Sequence, residues 1–280
     1  MQSKQPMTRR DWLLGAAAAP AFAAPRWKMR LSTSSVQFSS LPVEQACRKI
    51  AALGFEAIDF WPAYFKCPHL DEIENRLGAD GLRELLAKTG LKLCAFTGYQ
   101  TNYAKYWDLL GKAGGGVIVR ESKYGVFDKP AAEIKKLIET LKPDLELAER
   151  HGCYLAVENH GKAALSSLDS FKAFVDLAGH PRLGIALAPY HLQQEGIPVA
   201  DVIRMVGPKL LFFYAWQFGK DTAQLPGIGP ADFQPWLSAL AGVRYERYVN
   251  PFMHGHPPVD DMTEALAKSK RYLEDCYRRL

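Results

Sequence analysis

The sequence predicts a (β/α)8 barrel. From Arg30 onward, eight short apolar runs with β character alternate with amphipathic helical segments, the order that builds a parallel sheet with helices outside it. Eight strands is the number that closes such a barrel, and 280 residues with 48% hydrophobic content suit one domain of that size. No short repeat and no linker rich in Gly, Pro or Ser divides the chain, so one domain is expected over 28–280.

In chain order the strand candidates are RLSTSSVQF, FEAIDFW, LKLCAFTG, GGVIVRES, CYLAVEN, LGIALA, LLFFYAWQ and YERYVNPF. Between the first two, Val43, Ala46, Cys47 and Ile50 recur at helical spacing, and Gly54 is placed to end the turn. Ile134, Leu137, Ile138, Leu141, Leu145 and Ala148 continue the pattern in a longer segment that Pro143 should kink. LPGIGPADF, from Leu225 to Phe233, reads as a loop after the seventh strand. Met262, Ala265, Leu266, Ser269, Tyr272, Leu273, Cys276 and Tyr277 draw one face of a final helix that packs on the barrel from outside.

Residues 1–23 read differently. Arg9 and Arg10 precede an Ala-rich apolar run and a small-residue cleavage pattern at Ala21 and Ala23, the form of a twin-arginine export signal. The run is interrupted by Pro20 and falls short of the ~20 residues that span a bilayer, so no stable membrane anchor is expected. A periplasmic or exported protein is therefore expected. The formal charge of +5 drops to about +3 without the signal, and Lys and Arg are interleaved with Asp and Glu. That argues against a nucleic-acid partner. Cys47, Cys67, Cys94, Cys153 and Cys276 are odd in number and form no CxxC pair, so they read as core packing.

In a parallel barrel the strand C-termini form the functional face. Glu158 ends the apolar run YLAVE, where a buried carboxylate requires a positive or hydrogen-bonding partner. His160 follows it, His191 follows the sixth strand, Gln217 ends the seventh, and Asn250, His254 and His256 follow in the eighth. Imidazoles with a carboxylate are ligand types for a divalent cation such as Mn, Co, Fe or Zn, although the spacing is no metal motif. Glu158, His160, His191, Gln217 and His254 form the expected ligand set. Trp61, Tyr99, Tyr190 and Trp216 lie near strand ends as core filling or as platforms for a sugar ring.

Glu158, the PYH after strand six, LPGIGPADF and GFEAIDFW together resemble the xylose-isomerase-like sugar phosphate isomerase/epimerase superfamily over essentially all of Arg30 to Leu280. The resemblance implies a barrel that binds a divalent cation through Glu, Asp, His and Glu from strands five to eight and moves protons beside a sugar carbonyl. Glu158 matches the first ligand, and His191 matches a histidine that touches substrate. The other three positions depart, to Ala188, about Tyr214 and about Asn250.

A sugar isomerase or epimerase is therefore expected, with Glu158, His160 and His191 as catalytic residues and Trp61, Tyr99, Tyr190, Trp216, Asn250 and His256 around a small carbohydrate. An imidazole suits general base work near neutral pH. A lyase or hydratase on a keto-sugar or keto-glycoside starts with the same proton removal. A periplasmic sugar-binding barrel without catalysis is the alternative from another class.

Overall fold

Eight strands alternate with helices in the predicted order. The computed structural model describes residues 27–99, 104–122, 124–125 and 128–280, so the expected export segment lies outside the described residues. β1 (Arg30–Ser34), β2 (Ala57–Phe60), β3 (Lys92–Thr97), β4 (Val117–Glu121), β5 (Tyr154–Glu158), β6 (Leu183–Leu187), β7 (Leu210–Ala215) and β8 (Tyr248–Pro251) pair in parallel in a closed barrel. The helices are α1 (Val43–Ala52), α2 (His69–Glu72), α3 (Gly78–Thr89), α4 (Ala104–Lys112), α5 (Pro130–Thr140), α6 (Lys142–Arg150), α7 (Leu168–Leu177), α8 (Pro189–Gln194), α9 (Val199–Val206), α10 (Gln234–Gly242) and α11 (Val259–Arg278). Among the described residues, no helix is long and apolar enough to cross a membrane.

Local sequence explains the boundaries. The segment around Pro143 is two helices, α5 and α6, parted at Leu141, because proline lacks the N–H that would continue the ladder. β1 stops at Ser34, short of the expected Phe38, and Ser35–Phe38 turns as a 3-10 helix held by the Trp61 N–H on Ser35 Oγ. β8 begins at Tyr248, after a left-handed turn at Arg244.

Strand alternation sorts side chains into two layers. Ile58, Phe60, Phe96, Ile118, Leu155, Val157, Ile185, Leu187, Phe213 and Val249 face outward and pack with the helices. Ala57, Ala95, Val117, Val119, Ala156, Ala186, Phe212 and Tyr214 fill the inside, where the alanines leave room for the two large rings. Glu158 is in phase with Ala156 and Glu121 with Val119, so both carboxyls belong to the inner face at the C-terminal mouth. All five cysteines are free and buried, consistent with packing roles.

Candidate functional site

A cavity of about 200 Å3 opens at that mouth, lined by Phe65, Tyr99, Glu121, Tyr124, Glu158, His160, His191 and His254. Parallel registry puts Glu121 of β4 beside Glu158 of β5. His160 follows β5 by two residues, and α8, begun by Pro189, carries His191 directly after β6. His254 is tied down through its backbone, whose N–H and carbonyl both bond the Gln224 amide.

Glu158 is only 6% exposed, and its Oε2 atom is buried with no hydrogen-bond partner. Burial first, and the charge of Asp59 second, push its pKa well above the usual carboxylate range. The group therefore favours the protonated state, which can donate a hydrogen bond.

His160 and His191 meet with ring centroids 3.8 Å apart. The Nδ1 of His160 lies 2.8 Å from the Gly161 carbonyl oxygen, which can only accept, so Nδ1 carries the proton and Nε2 the lone pair in the neutral ring. Burial lowers the His191 pKa to about 3, with His160 adding to the effect and a hydrogen bond to Gln194 opposing it. His254, exposed at the rim but packed between Phe65, Trp61, Trp216 and Phe252, loses enough water to fall to about 4. Both rings are neutral at pH 7.

Beneath the cavity lies a polar floor that the sequence reading missed. Asp59, fully buried on β2, accepts from Ser34 Oγ at 2.7 Å, Trp61 Nε1 at 2.5 Å and Thr97 Oγ1 at 3.0 Å. Burial still pushes its pKa up to about 7. Two relays converge on it: Tyr214 bonds Thr97 at 3.1 Å, while Ser32 donates to Asn250, which donates to Ser34. Asp59 sits inside the apolar run AIDFW, the same signal that singled out Glu158.

The expected site residues therefore separate. Glu158, His160, His191, His254 and Tyr99 share the cavity lining. Trp61 and Trp216 are buried behind it, with Trp61 stacked on Phe252 and Trp216 on Tyr190. Asn250 is committed to the floor. Gln217, expected as a ligand, donates to the Leu225 carbonyl and accepts from the Ala231 N–H, both at 2.7 Å, so its amide holds the LPGIGPADF loop. His256 is exposed and faces Ser39, 2.8 Å from its hydroxyl. Glu121, Phe65 and Tyr124 join the lining without having been singled out; only their place at strand ends pointed to them.

The unpartnered Glu158 oxygen is the kind of atom a cation would satisfy. Yet among the described residues no three His, Cys, Asp or Glu side chains stand close enough together to hold a metal ion. Asn250 and Tyr214, at two of the positions where the resemblance expects ligands, are bonded into the floor, and Ala188, at the third, offers no donor. The donor set does not fit the four-ligand site.

Residues 47–276 match the model of the xylose isomerase-like TIM barrel family. The chain belongs to that family. Comparison with curated proteins finds no significant match. Among solved structures, the fold is similar to that of 3-keto-D-glucoside 4-epimerase from E. coli, at 17% identity and a TM-score of 0.68, covering 87% of this chain and 100% of that one. It is also similar to an IolI protein with a bound zinc atom, at 17% identity and a TM-score of 0.72 over 89% of this chain and 98% of that one. The probable 3-DHS dehydratase AsbF of Bacillus anthracis, at 16% identity, gives a TM-score of 0.70 over 86% and 98%. At these identities the likeness concerns the fold.

Proposed function

We propose that this member of the xylose isomerase-like family is an isomerase- or epimerase-like enzyme that moves a proton beside the carbonyl of a small carbohydrate. The observation that carries the reading is the buried, unpartnered Oε2 of Glu158 in the same cavity as the His160–His191 pair. That the fold is shared with sugar epimerases and with a probable 3-DHS dehydratase supports the reaction class.

Protonated Glu158 donates to the carbonyl oxygen, where negative charge develops as the neighbouring C–H bond breaks. The Nε2 lone pair of His160 accepts that proton. The bound sugar is then an enediol, Glu158 is a carboxylate and His160 an imidazolium, so charge balances. Reversal onto the adjacent carbon and oxygen gives the isomer and restores both side chains. His191, whose pKa is lowered to about 3, stays neutral beside His160. No step is assigned to a divalent cation, since among the described residues no three His, Cys, Asp or Glu side chains converge on one. If the next carbon carries a leaving group, the same proton removal ends in elimination, the lyase variant of the reading.

Deuterium exchange at the carbon beside the carbonyl, followed by NMR in D2O with keto-hexoses and keto-glycosides, tests this. Wild type should exchange; Glu158→Gln and His160→Asn should each lose about 10²–10⁴-fold. Full exchange in Glu158→Gln, or none in wild type with any carbonyl sugar that binds, overturns it. Export is a separate proposal carried by Arg9 and Arg10, tested by fractionating cells that express the chain with both replaced by Lys.

A further inference from the structure

We propose that the opposite, N-terminal end of the barrel holds a second binding site, one that takes a small organic carboxylate with an apolar body and places its charge on Arg247.

A cavity of about 350 Å3, larger than the one at the mouth, opens at that end, and Arg30, Val117, Tyr154, Phe212, Arg247 and Tyr248 all line it. Strand phase puts them there. Arg30 stands two residues before Ser32, Val117 before Val119, Tyr154 before Ala156, Phe212 before Tyr214 and Tyr248 before Asn250, so all five belong to the inner face. Tyr154 and Glu158 begin and end β5, about 13 Å apart at ~3.3 Å per residue. The buried side chains of Ala156, Tyr214 and Asn250 lie between the two ends, and the two cavities share no lining residue.

Three guanidiniums gather here on two tyrosines. Arg30 lies 4.1 Å from the centre of the Tyr248 ring, donates to the Tyr248 hydroxyl and is paired with Glu56 at 3.6 Å. Arg247 lies 4.2 Å from the centre of the Tyr154 ring, and Arg182 lies 5.4 Å from the same ring while donating to the Cys153 carbonyl at 3.2 Å. Among the described residues, no carboxylate pairs with Arg247 and no oxygen accepts from its N–H groups. It is a half-buried charge, beside other cations, held on a ring and left without a counter-ion.

Glu246, the only acid among the described lining residues, is exposed, so Arg30 and Arg247 leave the lining with a net positive charge. Leu93, Val117, Leu211 and Phe212 make the rest of the wall largely apolar. A planar guanidinium fork matches a carboxylate through two parallel hydrogen bonds, and a carboxylate on Arg247 would set its apolar body against that wall. A bare inorganic anion would leave the wall unused. A neutral ligand would leave Arg247 unpaired.

Calorimetric titration with benzoate tests the site, with benzamide as its neutral isostere and inorganic phosphate as an anion lacking the apolar body. Wild type should bind benzoate about tenfold more tightly than either. Arg247→Gln should remove that advantage, and Arg247→Lys should restore only part of it, because an ammonium group cannot fork. Glu158→Gln, at the other end of the barrel, should bind benzoate as wild type does. Equal affinity for benzoate and benzamide, phosphate bound as tightly as benzoate, or benzoate binding that survives Arg247→Gln overturns the site. A loss in Glu158→Gln would put the benzoate in the mouth cavity and overturn it too. Should Arg247→Gln melt below wild type, Glu246→Gln at an exposed position decides. Removing that acid should tighten benzoate about twofold, and an unchanged or weaker affinity counts against the site.

Discussion

The imidazoles of His160 and His191, carried by the segments after two neighbouring strands, stand 3.8 Å apart at the barrel mouth. Burial first, and the neighbouring His160 ring second, lower the His191 pKa to about 3, so the His191 ring is held neutral.

That arrangement has a stability consequence. With a folded pKa of about 3 against an ordinary 6.5, His191 contributes stability that is fully present above pH 6.5 and lost as pH falls toward 3, at a slope on the order of 1.4 kcal/mol per pH unit. His191→Gln should therefore gain on wild type as pH is lowered from 6.5 to 4. Chemical denaturation of both proteins across that range measures it, and a constant difference would contradict the assignment.

Asp59 should behave in the opposite sense. Its pKa rises from 3.8 to about 7 on folding, so its contribution is present below 3.8 and is lost as pH rises through 7. Asp59→Asn should be close to wild type at pH 4 and gain on it by pH 8. Thermal melts at the two pH values decide this; a variant that loses ground with rising pH would show that the floor stabilises the carboxylate.

Gln217→Ala removes both amide anchors of the segment from Leu225 to Ala231. The buried Leu225 carbonyl and the half-buried Ala231 N–H lose partners, and a loss of about 1–3 kcal/mol is expected. The loop has little space in which to compensate, because a Cβ at Gly229 would meet the Ala223 carbonyl at 2.0 Å. Urea denaturation reads the loss, and an unchanged midpoint would show the loop to be anchored elsewhere.

Divalent cations give a fourth test. An ion held by the folded state stabilises it with the logarithm of one plus the ion concentration over its dissociation constant, and with no such site Mn, Co or Zn at about 1 mM should shift the melting temperature no more than Mg. A specific rise that disappears in Glu158→Gln would mean that Glu158 and the imidazoles rearrange to hold an ion.

Much of the site was legible in the chain because its signal is local. Glu158 stands out against YLAV, and strand alternation plus the barrel rule put it with His160 and His191 at one mouth. Asp59 carried an equal signal, but of its three donors only Trp61 is a near neighbour, while Ser34 and Thr97 are 25 and 38 residues away, so the sequence did not show the network that holds it. Phe65 and Tyr124 look like any other loop aromatics until the barrel mouth is assembled around the cavity.

The sequence by itself determined the alternation of strand and helix, the two-faced strands, the break at Pro143 and which strand ends carry polar groups, because periodicity and backbone chemistry act over a few residues. Only the tertiary structure decided which of those polar groups share a space. Closing the barrel turned Asn250 toward two serines of β1 and Gln217 toward its own loop, while it left one oxygen of Glu158 without a partner. The reason is that a buried polar group is satisfied by whatever the fold brings within about 3 Å, and that is set by strand registry across the barrel and not by neighbours in the chain.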